Sequence, residues 1–162
     1  MKHLLTFLLL CVISTTAFSQ GLKGINIGDT INPLTMSYDS PNVYYKQSTV
    51  GGIKGQIIAM TLSNGVIYRV GFIPDKRIYK AEANHLLSGI NTKYSISLTK
   101  SYKSDYSNDW TASTFKKGIQ YFVKADNNQY MTPPCDFAFI ITNMALSIIA
   151  DAEAQQKANS DF

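Results

Sequence analysis

The strongest constraint on the fold is a β-hairpin near the middle of the chain. Residues 56–62 and 66–73 are rich in β-branched, aromatic and other apolar side chains, and Ser63-Asn64-Gly65 lies between them. An Asn-Gly pair tolerates the positive φ angles of a tight primed turn. The sequence therefore predicts two antiparallel strands joined by a two-residue loop, Asn64-Gly65.

This register predicts which side chains share a face of the hairpin. Leu62 is opposite Ile67, and Thr61 is opposite Tyr68. One face then carries Ile57, Ala59, Tyr68, Val70 and Phe72, and the other carries Ile58, Met60, Leu62 and Ile67. A strand pair that is apolar on both faces belongs in the centre of a sheet or is covered on both sides.

An amphipathic helix is predicted over residues 76–94. Its apolar stripe steps by four, three, four and four residues through Tyr79, Ala83, Leu86, Ile90 and Tyr94. His85 lies about 150° from the centre of that stripe at 100° per residue, so it faces solvent and has no visible catalytic partner.

The other segments predict a mostly β chain. They are a short helix or turn near 31–36 that begins after Asp29 or Thr30, strands at 43–49, 95–99 and 115–124, a buried strand at 137–144 that could continue to 149, and a helical tail from 151. Residues 100–113 are predicted to form a loop. The fold class is α+β, an antiparallel sheet of about four to six strands with one main helix packed on a face.

The beginning of the chain is typical of an export signal. A basic start precedes an apolar run of about ten residues and the small residues around Ala17 and Ser19. We expect a signal peptide over residues 1–20, a single domain over 21–162, and a periplasmic or extracellular location. Leu10 before Cys11 does not match a lipobox. The later apolar stretch 137–150 is too short and too polar for a transmembrane span.

Removal of the signal leaves one cysteine, Cys135, and one histidine, His85. We therefore expect no intramolecular disulfide, no metal site and no cofactor, and a Cys135 that packs as a small apolar side chain rather than a reactive thiol. No catalytic motif is present, so no catalytic residue is predicted.

Charge is unevenly distributed along the chain. Residues 46–124 hold twelve basic and four acidic side chains, whereas residues 125–162 hold one basic and five acidic. The middle could present a basic surface to an acidic protein or envelope component, or it could only be a solvated surface. With two arginines and no reading helix, nucleic acid is not an expected partner.

A candidate binding surface follows the predicted helix. Tyr102, Tyr106 and Trp110 recur every four residues in a polar segment, and Lys116 and Lys117 come shortly after. Aromatic side chains on a loop favour recognition because they bury a large area at low rotamer cost. The alternative is that these aromatic residues fold back and cap the sheet.

The order of these features resembles that of small secreted envelope proteins of Bacteroides-like bacteria, in the α+β superfamily of β-lactamase-inhibitor-protein-like and small outer-membrane lipoproteins. Gly28-Asp29-Thr30 matches the glycine, variable residue and Ser or Thr that open the first helix there. The sequence departs from the pattern at two places. Pro33 shortens the predicted helix, and Asp39-Ser40-Pro41 stands where the family has Gly-x-Pro. The resemblance implies this fold and a binding role.

These observations favour an exported, non-catalytic binding module of the cell envelope. An extracellular hydrolase of glycans or peptides is the alternative, and it requires two carboxylates brought together in a pocket. A purely structural role through exposed strand edges is a third possibility.

Overall fold

The computed structural model describes residues 20–103, 109–126 and 135–160. The strands are β1 (Gly21–Leu22), β2 (Ile25–Asn26), β3 (Ser37–Ser40), β4 (Val43–Val50), β5 (Ile53–Thr61), β6 (Ile67–Pro74), β7 (Ser101–Tyr102), β8 (Trp110–Lys116), β9 (Ile119–Asp126) and β10 (Asp136–Asn143). The helices are α1 (Lys80–Tyr94) and α2 (Met144–Ser160). The predicted α+β class is confirmed.

Eight of these strands form one antiparallel sheet in the order β3-β4-β5-β6-β10-β9-β8-β7, and β1 and β2 pair separately. The sheet is therefore larger than the four to six strands predicted. β5 and β6 lie inside it, as the apolar character of both their faces predicted. Two short edge strands, β3 and β7, account for part of the difference.

A missed hairpin accounts for the rest of the difference in strand number. Residues 115–124 were predicted as one strand, but they belong to two, β8 and β9. Lys117 and Gly118 have φ angles of 52° and 76° and form a turn between β8 and β9. Two successive positive φ angles are typical of a type I′ turn. Phe115 consequently leaves the face of Ile119 and is 63% exposed, whereas Ile119 is buried.

The hairpin of β5 and β6 forms, but with a different turn. The Gly65 N–H donates to the Leu62 carbonyl and the Leu62 N–H donates to the Val66 carbonyl, both at 2.9 Å. Gly65 has a φ of +82°, while Asn64 stays at negative φ. The loop therefore has three residues, Ser63-Asn64-Gly65, and the predicted two-residue loop is wrong.

A bulge next to this turn changes the face of one aromatic residue. Thr61 pairs with Ile67 and Met60 pairs with Arg69, so Tyr68 between them has no partner in register. Its hydroxyl lies 3.8 Å from the Met60 sulfur, and its side chain is only half-buried. Tyr68 does not join Val70 and Phe72 on the core face, as the regular alternation had predicted.

The core lies between α1 and one face of the sheet. The most deeply buried large side chains there are Phe72, Phe139, Ile57, Ile141, Val70 and Val123. From the helix, Ala83, Leu86, Leu87, Ile90 and Tyr94 are buried. The Tyr94 ring lies 5.2 Å from that of Tyr121 and 5.7 Å from that of Phe139. The predicted stripe is confirmed over 83–94, although the helix begins at Lys80 and leaves Tyr79 exposed; His85 faces solvent as expected.

The segment before β3 contains a turn and no helix. The Gly28 N–H donates to the Ile67 carbonyl at 2.8 Å, and the Ile67 N–H donates to the Asp29 carbonyl at 2.9 Å. The Asn32 side chain accepts from the Leu34 N–H. Gly28-Asp29-Thr30 therefore pairs with the start of β6 and does not open the helix that the resemblance implied.

Two further predictions are corrected by the structure. Residues 95–99 form no strand, although Ile96 and Leu98 pack against the core. The strand from 137 does not continue to 149, because α2 begins at Met144, directly after β10. α2 contacts β6 and β10, and Ile148 and Ile149 on it are exposed. In the described ranges, no helix combines the length and apolar character needed to cross a membrane.

Cys135 pairs with Ile78 in an isolated bridge and is buried. Its thiol lies 3.3 Å from the Ile78 carbonyl oxygen. Burial raises the pKa of the thiol, which disfavours the reactive thiolate. The expectation that Cys135 packs as a small apolar side chain is confirmed.

Candidate functional site

Two of the aromatic residues predicted to bind a partner meet at the edge of the sheet. Tyr102 in β7 is directly opposite Trp110 in β8. Their environments differ, because Trp110 is only 5% exposed whereas Tyr102 is 51% exposed. Trp110 therefore belongs to the core, as the capping alternative predicted, and Tyr102 lies at the surface. Tyr106, the third predicted aromatic residue, lies outside the described residues.

A cavity of about 280 Å³ lies beside this strand pair. Its lining is Ser101, Tyr102, Lys103, Asp109, Trp110, Thr111, Lys124, Ala125 and Asp126. The Lys103 N–H donates to the Asp109 carbonyl at 3.1 Å and so joins the two sides of the cavity. The cavity combines one exposed aromatic ring with two basic and two acidic side chains.

The charges at this cavity are partly paired. The Lys124 ammonium lies 2.8 Å from an Asp126 carboxylate oxygen. Its hydrogen bond lowers the pKa of Asp126, and the same contact raises the pKa of Lys124. Both groups are therefore ionised near neutral pH. Asp126 is a poor candidate for a general acid, which needs a raised carboxyl pKa.

A further lysine, Lys100, contacts the buried Trp110 ring. The Lys100 ammonium lies 4.6 Å from the centre of the Trp110 ring and donates to the Asn84 side chain. Burial lowers the pKa of Lys100. This cation–π contact connects the edge of the sheet to α1 and supports a structural role for Trp110.

Lys116 and Lys117 are not part of this site. They lie at the opposite end of β8 from Trp110, ~20 Å away at about 3.3 Å per residue. The Lys116 ammonium donates to the carbonyls of Tyr94 and Ser95, where α1 ends. Lys117 occupies the turn between β8 and β9. Of the five residues that were predicted to act together, the structure describes four, and it places Tyr102 and Trp110 far from Lys116 and Lys117.

The basic middle of the chain is likewise dispersed. Arg77 forms a two-point ion pair with Asp136, at 3.1 and 3.2 Å. Arg69 donates to the Thr142 hydroxyl, and Lys46 donates to the Lys23 carbonyl. Arg77 and Lys124 are therefore in local ion pairs, and Arg69 and Lys46 contact uncharged oxygen atoms.

Lys103 and Asp109 lie in the polar segment that drew attention in the sequence, but sequence reasoning missed Lys124 and Asp126 at the cavity. Asp109 and Asp126 are seventeen positions apart, and only the pairing of β8 with β9, which sets Trp110 opposite Ala125, brings them to one place. A correct prediction of the Lys117-Gly118 turn would have provided this signal. Among the described residues, no group of three or more His, Cys, Asp or Glu side chains could hold a metal ion.

No family model, no curated protein and no solved structure matches this chain.

Proposed function

We propose that this chain is an exported, non-catalytic binding module of the cell envelope. Its contact surface, here called the β7 surface, consists of Tyr102, Lys103, Asp109 and Lys124. The observation that carries the proposal is the exposed Tyr102 ring beside the cavity of about 280 Å³. A large aromatic side chain next to a concave, mixed-charge surface is typical of the energetic centre of an interface.

The position of β7 adds a second mode of contact. β7 is the last strand in the order of the eight-stranded sheet and has β8 as its partner on one side. An edge strand offers backbone donors and acceptors to an extended segment of another chain. An acidic protein or envelope component suits Lys103 on this surface, whereas Lys124 is already paired with Asp126. The resemblance to small secreted envelope proteins supports the same role.

The test is a cross-linking pull-down from the envelope fraction of the source cells. The parent protein is compared with a Tyr102→Ser/Lys103→Gln variant. The matched control is Tyr38→Ser/Lys54→Gln, because Tyr38 is also an exposed tyrosine (61%, against 51% for Tyr102), Lys54 is an exposed lysine, and β3 and β5 lie in the other half of the strand order. Trp110 and Lys116 are left intact, since both contribute to the fold.

A partner that the parent and the control retain, and that the β7 variant loses, supports the proposal. Equal recovery with all three proteins contradicts it. Unchanged thermal unfolding of the β7 variant shows that any loss of binding comes from the surface itself.

One observation favours hydrolysis as a second candidate function: Asp109 and Asp126 line the same cavity. The lowered pKa of Asp126 is unfavourable for this reaction, because the carboxyl group that acts as the general acid needs a raised pKa. Turnover of a panel of glycans and peptides that is lost in Asp109→Asn and in Asp126→Asn would support hydrolysis. Equal turnover by parent and variants, or no turnover, contradicts it.

A further inference from the structure

A second and larger cavity, here called the α1 cleft, lies away from the β7 surface. Its volume is about 390 Å³. It is bordered by α1, by the turn between β1 and β2, and by the turn between β4 and β5. Its lining is Leu22, Lys23, Gly24, Val50, Gly51, His85, Leu86, Gly89, Ile90, Lys93 and Tyr94.

The interior of the α1 cleft is apolar. Leu22, Leu86, Ile90 and Tyr94 are buried side chains that also belong to the core. The volume falls within the ~300–1,000 Å³ usual for sites of small organic ligands. Because apolar walls gain free energy when they are covered, an apolar part of a ligand is favoured here.

Glycines keep the α1 cleft open. Gly89 lies in the exposed row His85, Gly89, Lys93, which follows one side of α1 at a spacing of four. A Cβ atom on Gly89 would meet no other atom within 4 Å, and the same is true of Gly24 on the opposite wall. Any side chain at these two positions would therefore extend into open space at the cleft.

The rim of the α1 cleft is positively charged. Lys23 and Lys93 both line it, and none of its lining residues is acidic. Burial lowers the pKa of Lys93, and the positive charge of Lys23 lowers it further, so the two ammonium groups are close enough to repel. Lys93 also lies 5.0 Å from the centre of the Tyr94 ring. A third lysine, Lys46, donates to the Lys23 carbonyl at 3.2 Å.

We propose that the α1 cleft binds a small amphipathic anion, a carboxylate or sulfonate with an apolar body. The apolar body packs against Leu22, Leu86 and Ile90, and the anionic group lies between Lys23 and Lys93. The anion relieves the repulsion between the two ammonium groups, and the apolar body contacts the apolar walls of the cleft. This site is separate from the β7 surface and does not depend on its function.

The test uses two fluorescent probes of similar shape. Anilinonaphthalene sulfonate carries the anionic group, and N-phenylnaphthylamine lacks it. We expect Lys23→Gln/Lys93→Gln to weaken binding of the sulfonate about tenfold or more and to leave the neutral probe unchanged, since charge-assisted contacts carry that much affinity. Gly89→Trp fills the cleft and is expected to abolish binding of both probes.

Two control variants accompany these measurements. Lys54→Gln/Lys76→Gln removes the same charge away from the cleft and is expected to leave both affinities unchanged. Tyr102→Ser/Lys103→Gln is expected to have no effect either, which separates this proposal from the proposed function. If Gly89→Trp binds the sulfonate as the parent does, or the parent binds neither probe, the proposal is overturned.

A measurement on the parent protein removes any dependence on the folding of variants. Decanoate is titrated while backbone amide signals are recorded by NMR. Saturable shifts confined to residues 22–24, 50–52 and 85–94 support the proposal. Shifts located mainly elsewhere, or no shifts, overturn it.

Discussion

The ammonium group of Lys116, near the end of β8, donates a 2.8 Å hydrogen bond to the backbone carbonyl of Tyr94, the last residue of α1. The last carbonyls of a helix lack intrahelical partners and carry partial negative charge. The same ammonium also reaches the Ser95 carbonyl at 3.0 Å. The Lys116 side chain, which extends from β8, therefore caps the end of α1 and is not a free surface charge.

Lys116→Met is expected to lower the free energy of unfolding by about 1 kcal/mol, because it keeps the apolar stem and removes the cap. Urea denaturation measures the change. Lys54→Met, on an exposed position of β5, serves as the control and is expected to be neutral. Equal stability of the two variants would show that the contact contributes nothing.

Alanine substitutions at two glycines beside the α1 cleft are expected to change the free energy of unfolding in opposite directions. Gly89→Ala should raise the free energy of unfolding by about 1 kcal/mol, since glycine is a poor interior helix residue and the added methyl meets no atom within 4 Å. Gly51→Ala should lower it by about 2 kcal/mol, because φ is +56° and the methyl would lie 2.9 Å from the Leu86 side chain. Thermal unfolding of both proteins tests the pair, and changes of the same sign would contradict the geometry.

Tyr94 is expected to make the protein sensitive to alkali. Burial raises the pKa of its hydroxyl, which donates a 2.7 Å hydrogen bond to the Gly21 carbonyl. A phenol whose folded pKa exceeds its unfolded value of about 10 stabilises the fold below pH 10 and loses that contribution as the pH rises further.

Tyr94→Phe should therefore cost about 1 kcal/mol at pH 7 through the lost hydrogen bond. Above pH 10 the free energy of unfolding of the parent should fall more steeply than that of Tyr94→Phe. The difference between the two slopes should be about 1.4 kcal/mol per pH unit. Urea denaturation between pH 7 and pH 11 measures both effects. Parallel pH profiles for the two proteins would argue against a buried neutral phenol.

The Cys135 thiol is expected to be protected from reagents in the folded protein. It is buried beside Ile78, and burial raises its pKa. In a Cys11→Ser background, reaction with Ellman's reagent at pH 8 should be slow and should become fast in urea, where the thiol is exposed. Equally fast reaction in both conditions would show that this thiol is accessible.

Glu153 is expected to attach α2 to the hairpin of β5 and β6. Its carboxylate accepts the Ser63 N–H at 2.9 Å and the Ser63 hydroxyl at 2.8 Å. Glu153→Ala should speed hydrogen exchange of amides in residues 150–160 several-fold and leave those of β5 and β6 protected. Asp151→Ala, on an exposed position of α2, is the matched control. Identical exchange in the two variants would assign no role to this contact.

The periodic segments of this chain were predictable because their signal is local. The stripe from Ala83 to Tyr94 carries the 3.6-residue period of a helix. The segments around Ile57 and Val70 are rich in β-branched and other apolar side chains and flank a turn sequence, Ser63-Asn64-Gly65. The errors occurred at turns. Lys117-Gly118 was predicted as strand because lysine rarely adopts positive φ. The bulge at Tyr68 arises because the pairing shifts between Thr61–Ile67 and Met60–Arg69, and no local preference marks it.

Prediction of the candidate site was limited in the same way. The segment that holds Tyr102 and Trp110 was predicted as a loop, and its aromatic side chains could either bind a partner or cap the sheet. The structure instead places Tyr102 in β7 and Trp110 in β8, opposite each other. Lys116 was grouped with the aromatic residues because it follows them along the chain. The neighbours of a side chain depend on strand pairing, and pairing over long separations leaves little trace in one sequence.

Composition and local period were thus sufficient for an α+β domain with a central hairpin, an amphipathic helix, a solvent-facing His85 and a buried Cys135. Long-range pairing set the eight-stranded order, the use of Lys116 as a helix cap, and the two cavities with their lysines. The reason is physical. The apolar stripe of a helix repeats at every turn and can be seen in a short stretch of sequence. The walls of a cavity come from segments far apart in the sequence, which meet only when the strands pair and α1 packs on the sheet.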